Sequence, residues 1–380
     1  MESIACIVIL RIRGQSKKVP EVSAVSVMST GALGLSSIYS DESMNLPLDI
    51  AFLISSYWGM YVVQTVIHSA IASMLVECAF LAWTIRTPHV KQWFRFIVIF
   101  LPIVSFPLYQ LMFPRRGDVY FRMESLLDSN RWFFIGQWGS ISVLAVFAFM
   151  LAITSVIFII QELVPIFSHI LEQRHAANQS EPDEVETTVS RKVSEALKGL
   201  PLDERFVQVI DDEDLALFSS TGLKPMIYIS TGLIEAFSTE HLHVALAHEI
   251  AHIQRSKKPV LIFAYILRVI VFFNPIAMIE FRRLAHEEEK VCDDIAIALT
   301  GQPEKLSEAI EMLRPTPEDY DVDTSRGAER LVSTLEHYSH DFLLKSRALR
   351  IRNSSQEVPL WGVPFIMTVA LIVSINYFIV

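Results

Sequence analysis

The feature that most limits how this chain can fold is the gathering of its apolar residues into long blocks. The first block, residues 51–85, is broken mainly by Gln64, His68 and Glu77. The later blocks occupy residues 96–113, 132–160, 260–281 and 359–380. A helix needs about 20 apolar residues to cross the roughly 30 Å of hydrocarbon in a bilayer. Four of the blocks are therefore predicted to be membrane spans.

The composition supports this interpretation. Of the 380 residues, 52% are hydrophobic and 19% are charged, whereas a soluble domain carries about 25% charged residues. The net charge of −10 argues against a nucleic-acid partner. The three cysteines, Cys6, Cys78 and Cys292, are too widely spaced for a disulfide framework or a C-x-x-C metal site. The lipid bilayer is the partner that such a chain requires.

The polar middle of the chain has the composition of a small soluble domain inserted between apolar blocks. Residues 206–210, 215–219 and 226–230 have the β-branched or alternating pattern of short strands. Ser238 is placed to cap the helix that follows, and Glu240 lies in the first turn of that helix. The predicted fold is an α-helical multi-pass membrane protein with an inserted small α+β domain.

The helix that Ser238 caps contains the sequence His-Glu-Ile-Ala-His at positions 248–252. Histidines four residues apart lie on one face of a helix, so both imidazoles can reach one Zn²⁺. The intervening Glu249 is suited to take a proton from a zinc-bound water. Taken alone, the two histidines could also be ordinary interfacial side chains, so further ligands are needed.

A third ligand is predicted from an acidic cluster downstream. A catalytic zinc needs three protein ligands and an open fourth position. Glu289 and Asp293 lie one turn apart on an amphipathic helical segment, so a ligand carboxylate and a supporting carboxylate can share one face. We predict Glu289 as the third ligand of a single zinc ion and Asp293 as the supporting group. Glu287 and Glu288 are predicted to be solvated helix surface.

The orientation of these segments follows from basic residues. Arg86, Lys91 and Arg95 lie between the first two spans without an acidic residue among them, which predicts a cytoplasmic loop. With three spans before it, the polar domain is then also cytoplasmic. Basic pairs flank the block at 260–281, so both of its ends are expected on the same side of the membrane. Because Asn274-Pro275 breaks helical structure, this block is predicted to re-enter the membrane or to insert as a pair of helices.

Four segments of the chain resemble a known family. They resemble, in the family's order, the BlaR/MecR-type membrane zinc metallopeptidases and, more distantly, the HtpX and CAAX prenyl protease group. The segments are Lys-Pro-Met-Ile-Tyr-Ile-Ser-Thr-Gly-Leu-Ile from 224, Ala-Leu-Ala-His-Glu-Ile-Ala-His from 245, Phe-Phe-Asn-Pro from 272 and Glu-Lys-Val-Cys-Asp-Asp from 289. The resemblance covers about residues 44–300.

The resemblance implies a zincin-like (gluzincin) metallopeptidase domain in the inner membrane of a bacterium, with its active site on the cytoplasmic side. It implies one Zn²⁺ held by His248, His252 and Glu289, with Glu249 as the general base and Asp293 in support. The implied activity is hydrolysis of a protein or peptide substrate by attack of a zinc-bound water. The antibiotic receptors continue into a penicillin-binding sensor, whereas this sequence ends within its last apolar block and has no S-x-x-K motif, so β-lactam reception is not expected.

These elements combine into a predicted domain organisation. Within it, the strand at 226–230 is predicted to be an edge to which an extended substrate adds by backbone hydrogen bonds. The regions are a disordered tail (1–47), three transmembrane helices (48–170), a cytoplasmic zincin domain (171–258), a re-entrant or membrane-inserted segment (259–281), a third-ligand helix with the C-terminal helical part of the peptidase domain (282–358) and a last transmembrane helix (359–380).

Two other classes of protein stay open. One is a non-proteolytic signalling or scaffold protein with a structural zinc site, although such a site has no use for Glu249. The other is a transporter or channel. This class is disfavoured because charged residues are sparse within the apolar blocks, where Glu77 and Arg268 are the main cases. Arg347 has no assigned role. His286 is one candidate for stabilising the oxyanion, with a surface histidine as the favoured interpretation.

Overall fold

A computed structural model describes residues 56–129, 131, 137–138, 141–160, 191–220, 225–256, 260–314, 341–352 and 361–380. The helices of this part of the chain are α1 (Tyr57–Ala82), α2 (Pro88–Met112), α3 (Val119–Glu124), α4 (Val143–Phe158), α5 (Arg191–Leu197), α6 (Thr231–Ala236), α7 (Thr239–Ser256), α8 (Val260–Ile270), α9 (Pro275–Thr300), α10 (Pro303–Met312), α11 (described over 341–352) and α12 (Gly362–Tyr377). The strands are β1 (Gln137–Trp138), β2 (Ile141–Ser142), β3 (Val207–Ile210), β4 (Leu217–Ser220) and β5 (Met226–Ser230). The predicted tail at 1–47 lies outside the described residues.

Two of the described helices, α1 and α2, are long and apolar enough to cross a membrane. The helices α4 and α12 are also apolar, but each has 16 residues, fewer than the about 20 that a span requires. Large apolar side chains face outward on all four helices, including Leu81, Leu111, Phe149 and Ile366. Such exposed surface suits contact with lipid. The helices therefore support association with a membrane, and the arrangement with four spans stays a prediction.

The charged side chains among the apolar helices α1, α2 and α8 and the start of α9, which we call the apolar bundle, have partners. Arg95 of α2 contacts Glu280 of α9 at 2.8 Å and Glu77 of α1 at 3.1 Å. Arg283 also contacts Glu77, at 3.0 Å, and the guanidinium of Arg268 lies over two phenylalanine rings. Because these charged side chains pair with opposite charges or stack on aromatic rings, their presence among apolar helices does not require an ion pathway.

The inserted domain is built on a three-stranded sheet with the strand order β3-β5-β4. The middle strand, β5, pairs in parallel with β3 and antiparallel with β4. The prediction that residues 226–230 form an edge strand is therefore wrong. Strand β4, which lies between β3 and β5 in the sequence, occupies the second side of β5. There the Phe218 ring of β4 stacks on Tyr228 of β5 with ring centroids 5.1 Å apart. The edges of this sheet are β3 and β4.

The sequence of α7 gives this helix one side that is buried in the core of the inserted domain and another side that faces α9. Leu242, Leu246 and Ile250 recur every four residues and are buried in the core of the inserted domain. The Ser238 hydroxyl accepts a hydrogen bond from the backbone N–H of His241 at 3.2 Å, which satisfies a free donor at the start of the helix. The helix is thus fixed against the core, and its other side contacts α9.

The apolar block at 260–281 is divided between α8 and α9 by a turn. The Asn274 side chain accepts hydrogen bonds from the backbone N–H groups of Ile276 and Ala277 at 3.0 and 3.3 Å, and Pro275 takes the first helical position. The helix α9 ends at Gly301, whose φ of 67° is left-handed. Its 26 residues therefore run without interruption from the apolar bundle into the inserted domain.

The packing of α6 can be tested at Gly232. A Cβ atom there would lie 2.0 Å from the backbone carbonyl oxygen of Glu213, so Gly232→Ala must displace one of the two segments. We expect the free energy of unfolding to fall by about 1–3 kcal/mol, measured by urea denaturation in detergent with circular dichroism. In the control Gly362→Ala the new Cβ meets nothing within 4 Å, and no such loss is expected. Equal losses in the two variants would contradict the packing described.

Candidate metal centre

Three potential metal ligands meet where α7 faces α9. The Nε2 atom of His248 lies 3.1 Å from Nε2 of His252. The two carboxylate oxygens of Glu289 lie 3.4 Å from Nε2 of His248 and 3.5 Å from Nε2 of His252. Ligand atoms around a tetrahedral Zn²⁺ with bonds of about 2.0–2.1 Å are roughly 3.3–3.4 Å apart. The three side chains therefore have the spacing that one zinc ion requires.

Two side chains of α9 contact the other nitrogen of each imidazole ring. Asp293 Oδ1 lies 3.1 Å from Nδ1 of His248, and Cys292 Sγ lies 3.5 Å from Nδ1 of His252. A partner at Nδ1 orients each ring so that Nε2 points toward Glu289. Arg347 Nη2 also lies 3.3 Å from Nε2 of His248. Burial raises the pKa of the Cys292 thiol well above its usual value.

Arg347 of α11 belongs to the same cluster, although the sequence interpretation left it without a role. Its Nε and Nη2 donate to the two oxygens of Asp293 at 2.9 and 2.6 Å, and its Nη1 lies 3.1 Å from Glu289 Oε2. Leu344 and Ile351 are buried on the same side of α11. An arginine at helical spacing within an apolar stripe is the signal that could have identified a buried ion pair here.

The charges in this cluster compensate one another. Burial alone would raise the pKa of both carboxyl groups. Arg347 and His248 nevertheless hold the pKa of Asp293 below its usual range, and the two histidines with Arg347 do the same for Glu289. Against the opposing effect of burial, Asp293 and Glu289 raise the pKa of His248 to about 9. Both carboxylates are therefore ionised at neutral pH.

Glu249 follows His248 directly and is 4% exposed. Its Oε2 atom has no hydrogen-bond partner in the described part of the chain. A buried carboxylate oxygen without a partner is costly, so such an atom needs an explanation from function or from a bound polar group. Next to three potential metal ligands, a bound water molecule is a fitting partner.

The prediction that Glu287 and Glu288 are solvated surface is wrong. They are 5% and 9% exposed, respectively. Lys290 pairs with Glu287 at 2.9 Å, and Arg255 of α7 pairs with Glu288. The acidic run looks like surface in the sequence because its cationic partners lie on neighbouring turns and on another helix.

His286 lies on α9 about one turn before Glu289 and is partly buried. Burial, reinforced by the nearby charge of Lys290, lowers the pKa of His286 to about 4. The imidazole is thus neutral at physiological pH and keeps one N–H donor. A role for His286 in stabilising an oxyanion stays a prediction.

The region that holds the site matches a known family. Residues 134–314 match the family model described as BlaR1 peptidase M56. Over these residues the chain is similar to the BlaR1-type M56 peptidases. The match confirms the resemblance to the BlaR/MecR type, and peptidases of the M56 family are typically zinc-dependent. It includes α7 and α9 with the clustered histidines and carboxylates, but not α11 with Arg347. No curated protein matches the chain.

The ion pairs around this site yield a prediction about buried charge. Arg347→Met leaves two ionised carboxylates buried without their arginine, so we expect the metal-free protein to lose about 3–5 kcal/mol of unfolding free energy. The control on the same helix is Arg352→Met. Arg352 is exposed and its partner Glu311, 3.0 Å away, is partly exposed, so the loss should be about 0–1 kcal/mol. Urea denaturation with a chelator present measures both. Similar losses would show that the Arg347 cluster is not buried as described.

Proposed function

We propose that this protein is a membrane-embedded zinc endopeptidase of the M56 type, which hydrolyses peptide bonds of a protein substrate at the cytoplasmic face of the membrane. The observation that carries the proposal is the convergence of His248, His252 and Glu289, with separations of 3.1 to 3.5 Å between their ligand atoms. Glu249 is next to them with a buried oxygen that lacks a partner in the described residues. The family match supports the peptidase activity.

The donor set suits zinc. Two imidazole nitrogens and one carboxylate are the ligands of many catalytic zinc sites, which keep a fourth position open. A bound Zn²⁺ would supply a Lewis acid that lowers the pKa of a water molecule and polarises the scissile carbonyl. Asp293 and Cys292 hold the two imidazole rings from behind, and Arg347 balances the charge of the carboxylates.

Glu249 is the residue that moves the proton in this proposal. Its carboxylate accepts a proton from the attacking water and passes it to the amine that leaves when the peptide bond breaks. The low exposure of Glu249 limits competing hydrogen bonds from bulk water. A structural zinc site has no need of such a carboxylate, and for this reason the proteolytic function is favoured over the scaffold function.

The sheet offers a place for the substrate backbone. Because β5 is the middle strand, the sheet edge that packs against the ligand-bearing helix α7 is β4. An extended peptide can add to an exposed strand edge through backbone hydrogen bonds. We therefore propose β4 as the strand that the substrate joins.

The decisive variant for the peptidase is Glu249→Gln, with Glu240→Gln on the exposed start of α7 as its control. Glu249→Gln should lower the rate of cleavage at least about a hundredfold, because a general base is lost, and zinc binding should persist. Cells expressing each variant are compared by sequencing new protein N-termini in membranes and cytosol, and the zinc content of the purified chains is measured. Wild type and Glu240→Gln should yield the same new termini.

The outcomes separate the candidate functions. New termini that persist unchanged in Glu249→Gln would show that the proposed mechanism is wrong. Zinc bound in every variant, without any new termini in wild type, would favour the non-proteolytic scaffold.

The proposed cytoplasmic position of the site can also be tested. The loop between α1 and α2 carries Arg86 at the end of the bundle where α2 contacts α9, whereas Tyr120 is exposed beyond the opposite end of α2. By the positive-inside tendency, Arg86→Cys should react with a membrane-impermeant maleimide only after spheroplasts are lysed. Tyr120→Cys should react before lysis. Both are placed in a chain with Cys6 and Cys78 replaced by serine. The reverse pattern would put the site outside.

A further inference from the structure

Three side chains from three helices, the buried Gln92 and Glu288 and the partly buried Arg255, form a closed ring beside the candidate metal centre. The side-chain N–H of Gln92 donates to Glu288, and Arg255 donates to Glu288 through Nε and, at 2.6 Å, through Nη2. The same Nη2 also donates to Oε1 of Gln92 at 3.0 Å. Gln92 thus uses its amide both as a donor and as an acceptor. We call this set the Gln92 ring.

The ring joins the two helices that bear the metal ligands. Arg255 follows His252 by three residues on α7, and Glu288 directly precedes Glu289 on α9. A displacement of the ring therefore changes the position of α7 relative to α9, on which the distances between the ligand atoms depend. These distances must be held within a few tenths of an ångström for tetrahedral zinc.

Gln92 brings a different part of the molecule into contact with the centre. It lies in the second turn of α2, one of the two helices that are long and apolar enough to cross a membrane. The residue is 5% exposed, and α9 packs extensively along α2. An amide in an apolar helix is costly unless its hydrogen bonds are made, and here they are made to Glu288 and Arg255.

We propose that Gln92 is a positioning residue for the zinc centre, through which the membrane helix α2 fixes the spacing of the metal ligands on α7 and α9. This inference rests on the proposed function, since it takes the three side chains to be zinc ligands. The ring acts on the ligands through Arg255 and Glu288, and Gln92 does not contact the metal.

The test compares metal binding by the full chain in detergent. Gln92→Met keeps the length and apolar character of the helix but removes both amide hydrogen bonds. Loss of a direct hydrogen-bond partner of a metal ligand lowers metal affinity about 10- to 100-fold in other sites. Because Gln92 acts through Arg255 and Glu288, the lower end of that range is expected here. Zinc affinity is measured by competition with a chelator, and the visible absorption spectrum of the Co²⁺-substituted protein reports the ligand geometry. We expect at least a tenfold loss of zinc affinity and an altered Co²⁺ spectrum.

The matched control is Ser69→Ala. Ser69 of α1 accepts a hydrogen bond from Asn274 at the start of α9, at 2.9 Å, so this variant also removes a buried contact between an apolar helix and α9, but about four turns from Glu289. Its zinc affinity and Co²⁺ spectrum should equal those of wild type. Arg255→Lys is the second test variant. A lysine lacks the planar guanidinium with which Arg255 donates hydrogen bonds to both Glu288 and Gln92. This variant should therefore change the zinc affinity and the Co²⁺ spectrum as Gln92→Met does.

Each outcome bears on one proposal. If the wild type binds no zinc, the proposed function fails, and this inference fails with it. If the wild type binds zinc, and folded Gln92→Met and Arg255→Lys keep its affinity and its Co²⁺ spectrum, the positioning role is overturned while the peptidase proposal stands. An equal loss in Ser69→Ala would also overturn the positioning role, because any damage to the bundle would then have the same effect.

Discussion

The structure depends on the pairing of acidic side chains along α9 with cations from several elements. This one helix buries five carboxylates, which belong to Glu280, Glu287, Glu288, Glu289 and Asp293. Each has a cation within ion-pairing distance: Arg95 of α2 for the first, Lys290 of α9 for the second, Arg255 of α7 for the third and Arg347 of α11 for the last two. Because an unpaired buried charge is strongly destabilising, the four pairs with α2, α7 and α11 determine which helices can surround α9.

The local part of the site could be predicted from the sequence, because it depends on helical spacing alone. The positions of His248 and His252 on one turn follow from a separation of four residues, and so does the proximity of Glu289 to Asp293. The structure brings these groups together as expected. The cap at Ser238 and the helix break before Pro275 are likewise consequences of neighbouring residues.

The long-range part could not be predicted in this way. Arg347 is 54 positions from Asp293 and Gln92 is 196 positions from Glu288, so their contacts depend on how helices pack and not on local spacing. The strand order shows the same limit. The residue pattern of β5 predicts a strand, but it does not reveal that β4 pairs with the side of β5 opposite to β3. The burial of Glu287 and Glu288 was missed for the same reason.

Buried ion pairs of this kind are weak contributors to stability compared with apolar packing. The presence of five paired, buried carboxylates on one helix therefore needs another explanation. Successive residues of an α-helix are offset by about 100°, as follows from 3.6 residues per turn. A rotation of α9 by one residue would remove Glu280, Glu288 and Asp293 from their partners at once, whereas an apolar interface would tolerate such a shift more readily. The pairs therefore fix the rotation of α9 about its axis, and with it the direction in which Glu289 faces the two histidines.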